Sequence, residues 1–246
     1  MPEGPQVVFL KERIAPFVNQ PVLKAEGHAA GIPFDAVTGQ VLTAVETFGK
    51  ELLFCFPGFA LRVHLMLFGK YALNGELSRE LTLGLTFPGG SIRFYACGCR
   101  LLREPPAGLY DWRTDVMHPS FDPDAAVAKL AARPERPICE GLLDQNILAG
   151  VGNGIKNESL FLSRVHPQSL AGAVPRDVLK RLVLACVGFS AEYLRWKREG
   201  AGASWRVYRQ KQCPRDHLPL RAEKLGPSGR SCYYCDKCQQ LYLPEG

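Results

Sequence analysis

Several features that define other classes of protein are missing from this sequence. No apolar run approaches the roughly 20 residues that an α-helix needs to cross a bilayer. The first residues do not combine a basic segment with an apolar one, so no secretory signal is predicted. Internal repeats and low-complexity tracts are absent as well. The sequence therefore argues against a membrane protein, a secreted protein and a repeat protein.

The charge balance and the cysteine count bound what remains. The chain has 246 residues, of which 46% are hydrophobic, so two compact domains or one domain with a small appendage are expected. Lys and Arg number 30 against 24 Asp and Glu, and the net charge of +6 mildly favours a polyanionic partner. An odd count of nine cysteines without a signal indicates a reducing compartment, hence thiols and metal ligands rather than disulfides.

The chain begins Met1-Pro2-Glu3-Gly4-Pro5. If Met1 is removed, Pro2 presents a secondary amine that can attack a carbonyl or a sugar C1′ carbon and form an iminium. An α-amino group titrates near about pH 8, so it is neutral far more often than a lysine. Glu3 can act beside it as a general acid or base. Many chains begin Met-Pro for reasons of processing, so this start alone is a weak indication.

Four of the nine cysteines lie in the last 34 residues. Cys235 and Cys238 have the C-x-x-C spacing of a tetrahedral zinc site. The upstream half is Cys213 with either His217 or Asp216, and Cys232 is a spare candidate. Because a neutral imidazole suits Zn²⁺ better than one carboxylate, we predict one structural zinc ion on Cys213, His217, Cys235 and Cys238. The alternative is a set of unrelated thiols with the histidine on a solvated loop.

The first half of the chain reads as a helix followed by short strands. Residues 4–17 predict a helix, with Pro5 in the first turn where its missing N–H is tolerated. Seven strand-like runs follow, and their spacing and turn residues indicate an antiparallel sandwich or barrel. The runs are 21–27, 41–47, 51–56, 59–66, 69–74, 80–87 and 90–96. Residues 104–123, rich in Pro, Asp and Gly, are interpreted as a linker between domains.

Helical periodicity takes over from about residue 123. The pattern predicts helices that start at Asp122-Pro123 and cover 138–149, 155–163 and 175–198. The glycine-rich turn 149–154 separates the second and third helices. The amides that open the third helix, with the side chain of Asn153, make a phosphate clamp. A plain helical hairpin with a glycine cap is the alternative.

Together these features resemble the formamidopyrimidine-DNA glycosylase / endonuclease VIII family of base-excision repair enzymes. Three motifs carry the resemblance in the family's order: residues 1–5, residues 142–153 (Leu-Leu-Asp-Gln-Asn-Ile-Leu-Ala-Gly-Val-Gly-Asn), and residues 229–239 ending in Cys-x-x-Cys-Gln. The resemblance implies an α+β protein in three parts. We expect an antiparallel β-sandwich with a flanking helix at 1–112, a helix–two-turn–helix domain at 113–200 and a zinc β-hairpin at 201–246.

The resemblance also implies roles for particular residues. Pro2 would attack C1′ of a flipped-out damaged nucleotide, with Glu3 assisting base departure, and β- and δ-elimination would then break the backbone. Lys50 and His64 match phosphate contacts of the family, and Arg230 would clamp a phosphate from the zinc hairpin. Exposed-strand or core positions are the alternatives for Lys50 and His64.

Residues 66–68 form an apolar triplet at a strand turn. Met66, Leu67 and Phe68 make sense as a wedge that fills the gap left by a flipped base, although a strand packed into the sandwich is the alternative. Such a triplet is more like the endonuclease VIII branch, because residues 95–99 lack the Arg-x-Phe loop of the other branch. The segment 199–209 is short for a cap over a purine, so we predict a preference for oxidised pyrimidines over 8-oxoguanine.

The expected partner is double-stranded DNA that contains oxidised or abasic sites. We expect a monomer without membrane association, in the bacterial cytoplasm and bound to nucleoid DNA. A zinc-containing damaged-DNA-binding protein without chemistry is one alternative, and a glycosylase that prefers purines is another. A zinc-stabilised RNA-binding protein is a third, which the absence of an aromatic stacking platform disfavours.

Overall fold

The computed structural model describes residues 2–244. The chain folds into two compact units, Met1–Tyr110 and Asp111–Gly246. The division falls inside the predicted linker. The predicted three-part domain boundaries stay a prediction. Among the described residues, no helix is both long and apolar enough to span a bilayer.

The first unit contains eight strands and one long helix. Helix α1 (Gly4–Ile14) has Pro5 in its first turn and leads into a 3₁₀ turn at Ala15–Phe17. Short helices are α2 (Phe34–Val37) and α3 (Pro106–Leu109). The strands are β1 (Lys24–Glu26), β2 (Ala44–Phe48), β3 (Glu51–Phe56), β4 (Phe59–His64), β5 (Lys70–Leu73), β6 (Leu81–Phe87), β7 (Gly90–Tyr95) and β8 (Gly98–Leu102).

These strands form two antiparallel four-stranded sheets, ordered β1-β6-β7-β5 and β2-β3-β4-β8. Alternate residues of the two sheets pack into one core, in which the rings of Phe54 and Phe94 meet edge to face at 5.9 Å between centroids. Val7, Leu10 and Ile14 of α1 belong to the same core. The predicted α+β sandwich with a flanking helix is confirmed.

Strand β8 was not predicted, and its omission is an error of the sequence-based prediction. Residues 98–102 pair with β4, with Val63 opposite Cys99 and Leu61 opposite Leu101. The run is short and follows a glycine, so its alternation was too brief to separate from the neighbouring loop. Its pairing with β4, which is distant in sequence, makes it a strand.

The second unit combines helices with a C-terminal hairpin. Its helices are α4 (Pro123–Ala131), α5 (Ile138–Gly141), α6 (Asn153–Leu162) and α7 (Arg176–Arg198), and a 3₁₀ turn covers Trp112–Thr114. Strands β9 (Arg221–Leu225) and β10 (Arg230–Tyr234) form an antiparallel pair. Helix α4 begins as predicted, because Asp122 Oδ1 accepts the amides of residues 124 and 125 at 3.0 Å.

The helix predicted over 138–149 is wrong in length. Only α5 is helical, and the chain then turns because short polar side chains capture its backbone. Asp144 Oδ1 accepts the amide of Asn146 at 3.0 Å, and Gln145 Oε1 accepts that of Gly150 at 3.1 Å. Gly150 has φ +97°, a conformation that favours glycine.

Part of the predicted linker is packed structure of the second unit. Thr114, Asp115 and Val116 are buried, and the amide of Val116 donates to the carbonyl of Ala149 at 3.1 Å. Composition alone identified the region of the domain boundary. It did not predict that residues 114–116 pack against the second unit, because their contacts are with residues more than 30 positions away, such as Ala149. The linker interpretation is therefore wrong for residues 114–116.

Candidate active site and metal centre

Pro2 and Glu3 lie at the start of α1. Glu3 is the N-cap residue, and its amide donates to Gln6 Oε1 at 2.9 Å, which is half of a capping box. Glu3 is only 8% exposed, whereas Pro2 is half-buried. The helix therefore holds the backbone beside Pro2 in one conformation. Met1, whose removal the proposed chemistry requires, lies outside the described residues.

Lys50 lies in the tight turn between β2 and β3, directly after Gly49, which has φ +56°. Tyr110 fixes both flanks of this turn. Its ring packs on Phe48 at 4.4 Å between centroids, and its hydroxyl donates to Glu51 Oε2 at 2.9 Å. Arg62 also pairs with the Glu51 carboxylate. These contacts hold the backbone on both sides of Lys50, which is half-buried, in a fixed position.

His64 ends β4, and Leu65 separates it from the apolar triplet. Its Nδ1 lies 3.0 Å from the Met66 sulfur. Burial lowers the pKa of His64, and the cations of Arg62 and Lys50 act in the same direction, against the opposing effect of Glu51. The imidazole is therefore neutral at neutral pH until an anion approaches it.

The apolar triplet is exposed, as its interpretation as a wedge requires. Met66, Leu67 and Phe68 are 50%, 57% and 73% exposed, so packing into the sandwich core is excluded. The turn is tight: Met66 has φ +52°, and a Cβ on Gly69 would overlap the carbonyl oxygen of Leu65. Three large apolar side chains are thus held out in solvent by a constrained backbone.

Asn153 contacts the backbone of the residue that follows Arg230 in the second unit. Asn153 is the first residue of α6, and its Nδ2 donates to the carbonyl oxygen of Ser231 at 3.0 Å. Arg230 precedes that residue and is exposed. The side-chain donor predicted to reach a phosphate is thus used to attach the hairpin to the start of α6, while Asn153 Oδ1 is buried without a hydrogen-bond partner among the described residues.

Two further side chains of α6 complete this attachment. Lys156, which is fully buried, donates from Nζ to the same Ser231 oxygen at 3.2 Å. Asn157 donates to that oxygen at 3.2 Å and accepts the amide of Tyr233 at 2.8 Å. Three donors on one carbonyl fix the backbone next to Arg230. Lys156 and Asn157 were not predicted from the sequence, because polar residues in a helix give no sign of burial.

Four potential metal ligands cluster near the hairpin. One potential ligand atom from each of four residues lies within 4.8 Å of the others, and the residues are Cys213, Asp216, Cys235 and Cys238. Asp216 Oδ2 lies 3.3 Å from Cys235 Sγ and 3.7 Å from Cys213 Sγ. Three thiols and a carboxylate around one point are a donor set that suits Zn²⁺.

His217, the predicted fourth ligand, does not join this cluster in the structure. The alternative, Asp216, occupies that place because the chain turns back at this point: His217 has φ +56°, and its amide donates to the carbonyl of Cys213 at 2.9 Å. The other three predicted ligands do come together. Cys232, the spare candidate, is instead buried with its sulfur 3.2 Å from Lys156 Nζ.

Gln239 explains the end of the third sequence motif. Its side chain is buried, accepts the amide of Cys235 at 2.9 Å and donates to the carbonyl of Val165 at 2.8 Å. It therefore ties the metal-side cysteines to the segment after α6. Cys232 and Tyr234 pack in the same core as the helices, so hairpin and helices form one unit.

Comparisons with known proteins agree with this fold. The formamidopyrimidine-DNA glycosylase H2TH domain matches residues 114–195. The formamidopyrimidine-DNA glycosylase of Exiguobacterium sibiricum is 31% identical over 242 residues, which cover 86% of each chain. The structure is also similar to that of the Lactococcus lactis formamidopyrimidine-DNA glycosylase bound to DNA containing an AP site, with a TM-score of 0.84 over 97% of this chain and 99% of that one, at 20% identity.

Endonuclease 8-like proteins match this chain as well. Bovine endonuclease 8-like 2 is 36% identical over 161 residues, or 64% of this chain, and mouse endonuclease 8-like 3 is 31% identical over 213 residues, or 82%. The chain spans 47% and 35% of the lengths of these two proteins. The fold and the motifs define a two-unit protein with proline at position 2 and a helix–two-turn–helix unit. The chain belongs to the formamidopyrimidine-DNA glycosylase / endonuclease VIII family.

Proposed function

We propose that this protein is a base-excision repair enzyme, a DNA glycosylase with AP lyase activity that acts on oxidised bases in duplex DNA. The observation that carries the proposal is the Pro2-Glu3 start on a capped helix in a member of this family. The family relatives named above are glycosylases and endonuclease 8-like proteins, which supports the same reaction class.

The proposed chemistry uses the first two residues after Met1 is removed. The amine of Pro2 attacks C1′ of the damaged nucleotide, the base leaves with a proton, and an iminium joins Pro2 to the opened sugar. Glu3 exchanges protons with the sugar ring oxygen and the departing base. The iminium acidifies the C2′ proton, so β-elimination breaks the 3′ phosphate bond and δ-elimination then breaks the 5′ bond. Hydrolysis releases the enzyme.

Other residues hold the DNA for this chemistry. Lys50 on its braced turn and Arg230 on the hairpin supply positive charge for backbone phosphates, and His64 contacts a phosphate near the lesion. Asn153 acts on the DNA through the hairpin that it holds and through the amides that open α6. Met66, Leu67 and Phe68 fill the gap left by the flipped nucleotide.

One structural zinc ion on Cys213, Asp216, Cys235 and Cys238 would stabilise the hairpin that presents Arg230. The ion takes no part in the reaction in this proposal. It closes the loop between the upstream cysteine and the C-x-x-C pair, and it satisfies three thiolates that would otherwise be reactive. The Asp216 carboxylate supports this assignment because it lies among the sulfur atoms.

We propose oxidised pyrimidines as the preferred lesions. In the segment between α7 and Cys213, the amides of Arg206, Val207 and Tyr208 all donate to the buried Glu158 carboxylate at 2.9–3.1 Å. This attachment leaves residues 199–205 before it and 209–212 after it, and each stretch is short for a purine cap. Excision rates of thymine glycol and 8-oxoguanine from matched duplexes test this preference. Equal rates, or faster 8-oxoguanine release, contradict it.

The reaction is tested by borohydride trapping on duplex DNA that contains an abasic site. We expect a covalent protein–DNA adduct, and trypsin digestion should locate it on the peptide that begins at Pro2 and ends at Lys11. In Pro2→Ala, which leaves a less reactive amine, trapping should fall strongly. An adduct on another peptide would contradict the assigned nucleophile.

Glu3→Gln is the matched control because it leaves the amine in place. We expect this variant to be trapped on a preformed abasic site yet to excise 5-hydroxyuracil far more slowly than the wild type. Absence of any adduct in the wild type, with DNA binding intact, would support a damaged-DNA-binding protein without chemistry.

A further inference from the structure

The turn between β7 and β8 brings two cysteines together. Cys97 and Cys99 have their Sγ atoms 3.6 Å apart, and both thiols are free. They flank Gly98, in a turn where Ala96 has φ +51°. This turn carries the chain from one sheet of the sandwich to the other, since β7 pairs with β5 and β6 whereas β8 pairs with β4.

The pair is accessible from solvent although its side chains face the core. Cys97 and Cys99 are half-buried and pack against the core of the first unit, while Ala96 and Gly98 are exposed. The two cysteines therefore lie at the edge of the core, beside exposed backbone, and not inside the sandwich. None of the roles proposed for DNA repair uses these thiols.

The distance is short enough for a bond after a small movement. A disulfide has an S–S length of about 2.0 Å, so the sulfur atoms must approach by about 1.6 Å. Rotation about the Cα–Cβ bonds moves each sulfur, and Gly98 adds backbone freedom between them. The hydrogen bond from Cys99 lowers the pKa of Cys97, against the opposing effect of burial, so Cys97 is the thiol of the pair that loses its proton more easily.

We propose that Cys97 and Cys99 are a reversible redox modification site that a hydroperoxide converts into an intramolecular disulfide. The Cys97 thiolate attacks one peroxide oxygen, the O–O bond breaks, and a sulfenic acid forms while hydroxide leaves and takes up a proton. The Cys99 sulfur then attacks the Cys97 sulfur, the S–O bond breaks and water leaves. Two thiols and one hydrogen peroxide thus give one disulfide and two waters, and a dithiol reductant reverses the change.

The sequence provides a sharp test in the folded 246-residue protein. Trypsin cleavage after Arg93 and Arg100 releases the peptide 94–100, whose only cysteines are Cys97 and Cys99. The peptide 51–62 carries Cys55 alone, a half-buried thiol of the same unit, and serves as the internal control. After graded hydrogen peroxide, remaining thiols are blocked with N-ethylmaleimide, and the digest is analysed by mass spectrometry.

We expect peptide 94–100 to escape blocking and to be lighter by two hydrogen atoms, at peroxide levels that leave Cys55 blocked. The pair should lose its thiols about tenfold faster than Cys55, because Cys97 has a resolving sulfur 3.6 Å away whereas burial raises the pKa of Cys55 to about 11. Dithiothreitol should restore two blockable thiols. In Cys99→Ser, dimedone should trap a sulfenic acid on Cys97 instead.

Two results would overturn the proposal. One is a peptide 94–100 that stays doubly blocked while Cys55 is oxidised. The other is a peptide 94–100 linked to a different cysteine-containing peptide, which would show that the two sulfur atoms react separately. Because the decisive measurement uses the wild-type chain, it does not depend on the folding of any variant, and it is independent of DNA repair activity.

Discussion

At the scale of single residues, Tyr110 and Glu51 show how Lys50, a proposed phosphate contact, is positioned by side chains outside the proposed contacts with DNA. The Tyr110 hydroxyl is bound to Glu51, and its ring packs on Phe48, so both neighbours of the Gly49–Lys50 turn depend on it. Burial, followed by the Glu51 carboxylate, raises the pKa of Tyr110, so the hydroxyl remains a donor. We therefore regard Tyr110 as a positioning residue.

Tyr110→Phe should weaken the Lys50 turn without disturbing the ring contact. A hydrogen bond to a charged group contributes about 1.5–3 kcal/mol, and Arg62 still holds Glu51, so we expect a loss of about 1 kcal/mol in unfolding free energy. We also expect KM for abasic DNA to rise more than kcat falls, because phosphate binding is affected first. Denaturant unfolding and steady-state kinetics measure both effects.

Tyr71→Phe is the matched control for this prediction. Tyr71 lies in the same unit, and its hydroxyl has no hydrogen-bond partner within residues 2–244. Its loss should change neither stability nor KM. If Tyr110→Phe behaves like Tyr71→Phe, Tyr110 does not position the turn.

At the scale of elements, the C-terminal hairpin of β9 and β10 is held by side chains from other segments of the second unit. In the hairpin, donors from α6 converge on the Ser231 carbonyl, and Gln239 connects the metal-side cysteines to Val165. The cluster of potential metal ligands and the position of Arg230 are thus connected through β10.

Asp216→Ala should lose zinc, whereas His217→Asn should retain it. The reason is that Asp216 Oδ2 lies among the sulfur atoms, while the His217 side chain does not belong to the cluster. Asparagine is chosen at 217 because it tolerates the left-handed backbone there. Metal analysis after gel filtration with a mild chelator measures the zinc-to-protein ratio. Asp216→Cys should retain zinc, because a fourth thiolate replaces the carboxylate. Zinc loss in His217→Asn with retention in Asp216→Ala would instead support His217 as the ligand.

Leu67→Ala should slow base excision from duplex DNA by about tenfold with little change in stability, because exposed side chains contribute little to folding. Leu23→Ala is a close control, since Leu23 and Leu67 are both leucines of the first unit and both 57% exposed. The variants are compared on a paired lesion and on the same lesion in single-stranded DNA. Equal slowing on both substrates would contradict a wedge, which matters only where a stacked partner must be replaced.

At the scale of the whole molecule, each unit contributes cationic residues to the proposed DNA interface. Lys50 lies in the first unit and Arg230 in the second, and the chain has a net charge of +6. Affinity for abasic duplex DNA should therefore depend on contacts from both units. The expected monomeric state and cellular location stay predictions.

Binding should weaken steeply with salt, and single variants should flatten that dependence. Each phosphate contact adds about −0.9 to the slope of log K against log salt, so Lys50→Ala and Arg230→Ala should each reduce the slope by about one. Lys24→Ala is the control, because this exposed lysine is paired with Glu26 on β1. Fluorescence anisotropy between about 50 and 200 mM salt measures the slopes. An unchanged slope in Lys50→Ala would contradict its phosphate contact.

Much of the fold was available from local patterns. Strand periodicity, Pro5 in the first turn of α1 and the cap at Asp122 depend on neighbours within a few residues, and all were predicted. The start at Pro2-Glu3 indicated an amine nucleophile, and the C-x-x-C pair indicated metal binding, for the same reason. Strand β8 and the end of the helix at 141 were missed, because their reasons lie in pairing with β4 and in side chains that capture the backbone.

The sequence by itself determined the family, the order of the parts, three of the four residues that cluster as potential metal ligands, and the identity of the proposed nucleophile. These depend on residue type and spacing along the chain. Only the tertiary structure decided that Asp216 replaces His217, that Asn153 and Lys156 hold the hairpin, and that Cys97 and Cys99 form a pair. In each case the outcome depends on backbone direction at a turn or on contacts between distant segments, which residue spacing does not encode.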